Sequence, residues 1–311
     1  MNSSKTQFIE ISKDQADRRI DNFLLTILHI VPKSHIYRLL RSGNIRVNKK
    51  RVRPDYRIQT GDILRIPPLE IRARKRFDQF PSSLTKKVVD RVLYEDDNLL
   101  IVNKLSGLAV HGGSGVDFGL IQILRAVRSD VHFMELAHRL DRETSGCLII
   151  AKKHRILREL HQLFQDGQIE KVYYALTLGH WPRKVSRIEV PLRKNVMQSG
   201  ERMVKVDTAG KKALTEFRVR KMFEEATFVE AKLKTGRTHQ VRVHAQYAGH
   251  PVAGDEKYGD RAFNKKMRQK GLHRLFLHAY QVSFVLPSIG KSILVKAPLD
   301  RDLQKILVNL T

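Results

Sequence analysis

Apolar residues fall on a helical period near the start of the chain. Ile20, Phe23, Leu24, Ile27 and Leu28 occupy positions i, i+3, i+4, i+7 and i+8, which line one face of an α-helix. Pro32 interrupts this pattern. A second helix then carries Ile36, Leu39 and Leu40, with Gly43 placed to end it. A short strand-like run, Phe8-Ile9-Glu10-Ile11, precedes both. After them Ile45-Arg46-Val47 reads as a strand, Asn48-Lys49-Lys50 as a turn, and Gly61-Asp62 as the entry to a second strand, Ile63-Leu64-Arg65-Ile66. Two helices and a twisted hairpin over residues 18–66 make one small unit. Pro67-Pro68 stiffens its exit. The mixed charges that follow, with Pro81 and Ser82-Ser83, predict a linker over 67–87.

From residue 88 onward the dominant period is two. Leu99-Leu100-Ile101-Val102 and Leu148-Ile149-Ile150-Ala151 are continuous apolar runs of the kind found in buried strands. Residues 171–178 alternate, with Val172, Tyr174 and Leu176 on one face and Tyr173, Ala175 and Thr177 on the other. Residues 228–233, 276–286 and 292–295 also read as strands. Helical spacing appears around Leu157, Leu160 and Phe164, and again over 241–248. Strands outnumber helices. The pattern predicts an α+β chain whose second domain, 88–311, is a mixed, mostly antiparallel sheet with flanking helices. A length of 311 residues suits one small and one large domain.

Charge adds a partner to this picture. There are 58 Lys and Arg against 32 Asp and Glu, a formal net charge of +26. Such an excess repels itself and points to a polyanion, first of all nucleic acid. An anionic membrane surface is the competing reading. No Lys-rich amphipathic helix with an aromatic apolar face supports it. The small unit is one-sided: Lys33, Arg38, Arg41, Arg46, Lys49, Lys50, Arg51, Arg53 and Arg57 stand against little more than Asp55. Ordinary soluble surfaces intersperse both signs. Cys147 is the only cysteine, so an intramolecular disulfide is impossible and a cysteine-based zinc site is disfavoured. The first residues lack the apolar run of a signal peptide, and no run reaches membrane-spanning length. A cytoplasmic protein is expected. The even spread of basic residues offers no self-interface, so a monomer is expected.

Four segments carry candidate chemistry. In Ala137-His138-Arg139-Leu140-Asp141-Arg142-Glu143-Thr144-Ser145-Gly146, polar residues and a glycine gather at the entrance to a buried strand. Flanking Arg139 and Arg142 are expected to keep Asp141 ionised. A salt-bridged turn would look the same. Lys171-Val172-Tyr173-Tyr174-Ala175 puts two tyrosines on opposite faces of a strand, and nothing in the spacing chooses between them. In Thr235-Gly236-Arg237-Thr238-His239-Gln240-Val241-Arg242-Val243-His244, Thr238 can cap a helix that Gly249 ends. His239 and His244 are five apart and share no helix face, which speaks against a metal pair. Arg242, one turn in, can reach a carboxylate or a phosphate. Finally, His111-Gly112-Gly113-Ser114-Gly115 lets backbone approach a ligand, but has neither the Gly-Lys-Ser/Thr ending nor the G-x-G-x-x-G spacing of nucleotide-binding loops.

Taken together and in this order, three of these segments resemble a known family. His138-Arg139-Leu140-Asp141-x-x-Thr144-Ser145-Gly146 is similar to the signature loop of the RluA-type pseudouridine synthases. Lys171-x-Tyr173-x-Ala175 is similar to the second motif of that family and residues 236–244 to its third. The N-terminal unit resembles the S4 RNA-binding domain. Val31-Pro32-Lys33-Ser34, Arg46-Val47-Asn48-Lys49-Lys50, Tyr94-Glu95-Asp96-Asp97, the 110–115 loop and Gln198-Ser199-Gly200-Glu201-Arg202 bring the resemblance to the RluC subfamily, which acts on bacterial large-subunit ribosomal RNA. The family often has Pro where Leu105 stands, so a stiff turn is lost there.

The resemblance implies conversion of uridine to pseudouridine, an isomerisation that calls for no cofactor and no metal. It implies Asp141 as nucleophile, with Arg242 holding and aiming it. It implies Tyr173 beneath the flipped base, with a further part in late proton removal left open. Arg139 would fill the space that the base vacates, where a planar guanidinium can stack. Lys33, Arg38, Arg41, Arg46, Lys49, Lys50, Arg51, His111 and Arg237, with the 112–115 loop, would grip RNA backbone. Two other classes fit part of the pattern. A non-catalytic RNA-binding or ribosome-assembly factor needs the basic unit but not Asp141, Tyr173 and Arg242 together. A metal-dependent nuclease needs clustered carboxylates, whereas arginines surround Asp141.

Overall fold

Strand Leu99–Lys104 alternates Leu99 and Ile101 into one apolar layer and Leu100 and Val102 into another, so both its faces are covered. Strand Ser145–Ala151 does the same, with Cys147 and Ile149 on one side and Leu148 and Ile150 on the other. Burial on both faces is why these runs are continuously apolar. In the computed structural model they lie side by side in a sheet that has ten strands among the described residues. The structure describes residues 6–310, apart from 14, 29–30, 32, 70–79, 113–117, 132, 183–185 and 197–201. The chain divides into two compact units, Met1–Gln79 and Phe80–Thr311.

In the first unit, helix Ile20–Ile27 and helix Lys33–Arg41 pack Ile20, Phe23, Leu24, Ile36, Leu39 and Leu40 against a small sheet. Gly43 follows the second helix at φ 72°, the left-handed conformation that closes a helix without a Cβ penalty. The expected hairpin is larger than the sequence suggests. Strand Arg46–Val47 turns through Asn48 and Lys49, both at positive φ, into Lys50–Arg51. It also pairs with Ile63–Ile66, whose other edge is taken by Gln7–Glu10. The strand-like run before residue 18 thus adds an edge to the sheet of this unit.

In the second unit the strand order begins with Ser186–Glu189, Leu214–Met222, Ala226–Leu233 and Glu170–Leu178. It continues through Leu277–Leu286, Ser145–Ala151 and Leu99–Lys104 to Val92–Glu95. Lys291–Lys296 adds to Leu277–Leu286, and Glu135–Leu136 to Ser145–Ala151. Among the described residues only the pairing of Leu277–Leu286 with Ser145–Ala151 is parallel, so the sheet is mixed and mostly antiparallel as expected. Helix His154–Gln165 packs Ile156, Leu160 and Leu163 on one face. Helix Leu120–Val127 packs on the other, together with Val88 of helix Ser82–Val89.

That last helix begins within the expected linker. Phe80, Leu84 and Val88 recur every fourth residue and pack into the second unit. Residues 82–87 of the expected linker are helical. A separate hairpin, Leu192–Val196 with Arg202–Val206, rises from the large unit; Gln198–Glu201 of the resemblance lie outside the described residues.

Cys147 is 2% exposed, and burial pushes its thiol up to about 12. The native protein is therefore expected to resist iodoacetamide under conditions that alkylate the denatured chain completely, read by intact mass. Ready labelling of the native form would contradict this packing.

Candidate active site

Asp141 lies in the loop that enters strand Ser145–Ala151, and the loop is tied down on both sides of it. Before it, Nε2 of His138 accepts the Ile149 N–H at 3.1 Å. Burial, helped by the charge of Lys171, holds His138 down to about 3, so the ring stays neutral and keeps this role. After it, Lys104 is fully buried, and its Nζ donates to the carbonyls of Leu105, Leu108 and Arg142, each at 2.8 Å. Burial lowers Lys104 to about 7, yet three carbonyl acceptors can be filled only by the three donors of an ammonium. Ser106 adds a bond to the Glu143 carbonyl at 2.7 Å, and Gly107 one to the Arg142 carbonyl at 2.9 Å. These bonds brace the turn at Leu105, where the family often has proline.

The far end of the loop is fixed as firmly. Ser145 bonds to Nδ1 of His278 at 2.8 Å, and Nε2 of that ring meets the Ala297 carbonyl at 3.1 Å. Gly146 sits at φ 109°, where a Cβ would come within 2.2 Å of the Ala279 carbonyl oxygen. Only glycine lets the neighbouring strand come this close.

Of the arginines expected beside Asp141, Arg242 faces it and the two that adjoin it in sequence do not pair with it. Arg142 turns away, donating through Nε to the Gly107 carbonyl at 2.9 Å and lying 3.7 Å from Glu143. Arg139 is exposed and makes no hydrogen bond or ion pair among the described residues. The charge beside Asp141 comes instead from the segment that opens helix Gln240–Tyr247. Nη1 of Arg242 lies 3.9 Å from Asp141 Oδ2, and Nε2 of His239 lies 3.8 Å from Oδ1. The reason is topological: Arg142 is tied to the Gly107 carbonyl, whereas the sheet brings the start of the helix to face the loop. The expected Thr238 cap is also displaced. His239 holds the N-cap position, in the left-handed region at φ 55°.

Arg242 is itself held by a residue that the sequence does not single out. Its Nε and Nη2 meet Asp255 Oδ2 and Oδ1 at 2.6 and 2.7 Å, with side-chain exposures of 7% and 0%. Burial opposes charge on both, but their mutual contact outweighs it: Arg242 is raised and Asp255 lowered from their ordinary values. Backbone N–H groups of Lys257 and Tyr258 also reach Asp255 Oδ1, at 2.9 and 3.0 Å. Nothing periodic marks Asp255; its place after Gly254 and three residues before Tyr258, outside any helix or strand, is the sole local hint.

Asp141, Tyr173, Arg139 and Arg237 line one cavity of about 560 Å³. Asp141 is the only acid among the residues lining it, against Arg139, Lys171, Lys234 and Arg237. Tyr173 is the tyrosine that faces it. Tyr174 stacks instead on Tyr280, with ring centroids 4.1 Å apart. Burial first, then the charge of Asp141, raises the Tyr173 phenol, which stays protonated at neutral pH. Lys171, lowered by burial, points into the cavity with no carboxylate partner among the described residues. Nε of Arg237 bonds to the Lys212 carbonyl at 3.0 Å.

A family pattern described as RNA pseudouridylate synthase matches residues 98–247, and one described as the S4 domain matches residues 18–64. The chain is 49% identical to the "Ribosomal large subunit pseudouridine synthase C" of Yersinia pestis, over 99% of this chain and 97% of that protein. The chain belongs to the RNA pseudouridylate synthase family. The synthase is also 48% identical to the protein of the same name from Escherichia coli (strain K12), over 98% of this chain and 96% of that one. Among solved structures it resembles "Human RNA Pseudouridylate Synthase Domain Containing 4", with a TM-score of 0.61 and 25% identity over 73% of this chain and 95% of that one. An S4 domain thus precedes a pseudouridine synthase domain.

The remaining expected RNA contacts are not among the residues that line the cavity. His111 is exposed and does not line it, and Gly113–Gly115 lie outside the described residues. Arg38, Arg41, Arg46, Lys49, Lys50 and Arg51 are all exposed, in the S4 unit. Of Lys33 the structure describes the backbone, in its helix, and not the side chain; Pro32 lies outside the described residues. Among the described residues no group of three or more His, Cys, Asp or Glu side chains could hold a metal ion.

Proposed function

We propose that this pseudouridine synthase isomerises uridines of large-subunit ribosomal RNA, with Asp141 as its nucleophile. The observation that carries the reading is a single carboxylate in a basic cavity, faced by Arg242 and His239 and accompanied by Tyr173. The volume, about 560 Å³, falls within the range of about 300–1,000 Å³ usual for small-ligand sites and leaves room for a flipped nucleotide. The printed names of the relatives, which refer to the ribosomal large subunit, support the choice of RNA.

In this reading the target uridine leaves its stack, at a cost of about a few kcal/mol, and Arg139 takes the vacated place. Asp141 attacks the sugar or stabilises the charge that develops as the N1–C1′ bond breaks. The uracil turns, C5 joins C1′, the C5 hydrogen leaves to water and N1 takes up a proton. Atoms and oxidation state balance without a cofactor. Tyr173 supplies the surface beneath the base; its raised phenol makes it a poor base in the resting state. Lys171 and Arg237 bind backbone phosphate. The enzyme acts as a monomer in the cytoplasm, and among the described residues no helix is long and apolar enough to cross a membrane.

The test is tritium release from large-subunit ribosomal RNA labelled at uracil C5, with no cofactor or metal added. Release to water is expected. Salt-sensitive RNA binding without release would instead favour a non-catalytic assembly factor on this fold. The S4 unit makes a second prediction. Lys49 and Lys50 are exposed beside a tight turn. Changing both to glutamine is expected to weaken RNA binding and to reduce the slope of log affinity against log salt by about 2. An unchanged slope would remove these lysines from the interface.

A further inference from the structure

His239 has a left-handed backbone, an uncommon conformation for a residue with a side chain and one that collects at working sites. Its ring lies between two partners. Nε2 is 3.8 Å from Asp141 Oδ1, and Nδ1 is 2.9 Å from the Tyr258 hydroxyl. Tyr258 is 3% exposed, and its oxygen already accepts the Val204 N–H at 2.8 Å, from strand Arg202–Val206 of the separate hairpin.

Proton bookkeeping decides how this chain runs. A buried phenol must place its own hydrogen on an acceptor. Val204 offers only a donor, which leaves Nδ1 of His239 as the acceptor in reach among the described residues. Tyr258 therefore donates to Nδ1, and the imidazole carries its hydrogen on Nε2. That N–H faces Asp141. The opposite tautomer would turn a lone pair toward a carboxylate and leave the phenol hydrogen without an acceptor. Burial keeps the two groups in these states, lowering His239 despite the pull of Asp141 and raising the Tyr258 phenol.

We infer that Tyr258 and His239 are positioning residues for Asp141: the Tyr258 hydroxyl locks His239 as the Nε2–H tautomer, and that N–H holds one carboxylate oxygen while Arg242 holds the other. The two donors stand at 3.8 and 3.9 Å, beyond hydrogen-bond length, so the carboxylate is framed but not yet gripped. Catalytic hydrogen bonds commonly shorten when substrate enters. The frame gives Asp141 one cationic and one neutral donor. It directs the anion without a second full positive charge that would dull its attack.

This inference rests on Asp141 being the nucleophile, and the tests keep the two apart. First, NMR of the native protein with labelled imidazoles, without RNA, is expected to show His239 as the Nε2–H tautomer, and Tyr258→Phe to populate the Nδ1–H form. Phenylalanine preserves the packing of Tyr258 against Leu192, Val204 and Val243. Second, Tyr258→Phe is expected to lower kcat about 10-fold and His239→Ala about 100-fold, with little change in KM for RNA. The double variant should be no slower than His239→Ala alone, because Tyr258 acts through the imidazole. A purely structural tyrosine would instead give additive losses. An Nδ1–H tautomer in the native protein, or additivity in the double variant, would overturn the relay. Full turnover by an Asp141 variant would overturn the nucleophile reading and leave the tautomer result standing.

Discussion

Replacing Asp141 with asparagine is expected to cut tritium release by at least about 10⁴-fold while RNA binding persists. The substitution keeps the shape of the side chain and removes its charge. An amide is neither a nucleophile at C1′ nor a counter-charge for a sugar that is losing its base. The fold should tolerate the change. Asp141 is 26% exposed and touches its two cationic or polar neighbours only at 3.8 and 3.9 Å, so no short native bond is lost. Lys104, Ser106 and the Ser145–His278 pair hold the loop without using the carboxylate. RNA affinity should stay the same or rise slightly, since one negative charge leaves a basic cavity. Turnover and equilibrium binding of the purified variant read the two effects separately. Release within 10-fold of the native rate would remove Asp141 from the chemistry.

Asp255 carries the second large effect, on stability as well as rate. It forms a bidentate pair with Arg242, and both side chains are shielded from water. Such a pair adds little over well-packed apolar residues. Removing one partner strands the other charge, at a cost of about 3–5 kcal/mol. Asp255→Ala also orphans the N–H groups of Lys257 and Tyr258 that its Oδ1 accepts. For a unit of this size we expect Tm to fall by about 10 °C or more. Activity should fall by about 100-fold even at temperatures where the variant is folded, because Arg242 loses the contact that aims Nη1 at Asp141. Asp255→Asn separates the two effects. It keeps the shape and part of the hydrogen bonding, so it should recover stability more than rate. Calorimetry with tritium release at low temperature checks this. A stable Asp255→Ala variant with near-native kcat would show that Arg242 needs no anchor.

How far the site could be read in the chain differs from residue to residue. Asp141, Tyr173 and Arg242 stand in segments whose order resembles a family, and the structure brings all three to one place. The choice of Tyr173 over Tyr174 could not be made from the strand, since alternation assigns them to opposite faces without saying which face meets the cavity. Lys171 and His239 were visible as motif members without a role. Arg139 and Arg142 were expected to ionise Asp141 because they adjoin it, and in the structure neither pairs with it. Asp255 and Tyr258 were not visible at all.

Features that depend on a segment's own surroundings are legible in the chain. Helical spacing at Ile20, Phe23 and Leu24, and continuous apolar runs at Leu99–Val102 and Leu148–Ala151, require burial of a stripe or of two faces whatever the rest of the chain does. Net charge likewise implied a polyanionic partner. Which groups share a site depends on how the folded chain brings distant segments together. Asp141 lies about a hundred residues from His239, Arg242, Asp255 and Tyr258, and their meeting depends on the sheet that sets the loop entering Ser145–Ala151 against the start of helix Gln240–Tyr247. Hydrophobic periodicity records how much of a segment is buried, but not what lies across from it. An ion pair or a hydrogen-bond relay exists only once the backbone has placed both ends within a few ångströms.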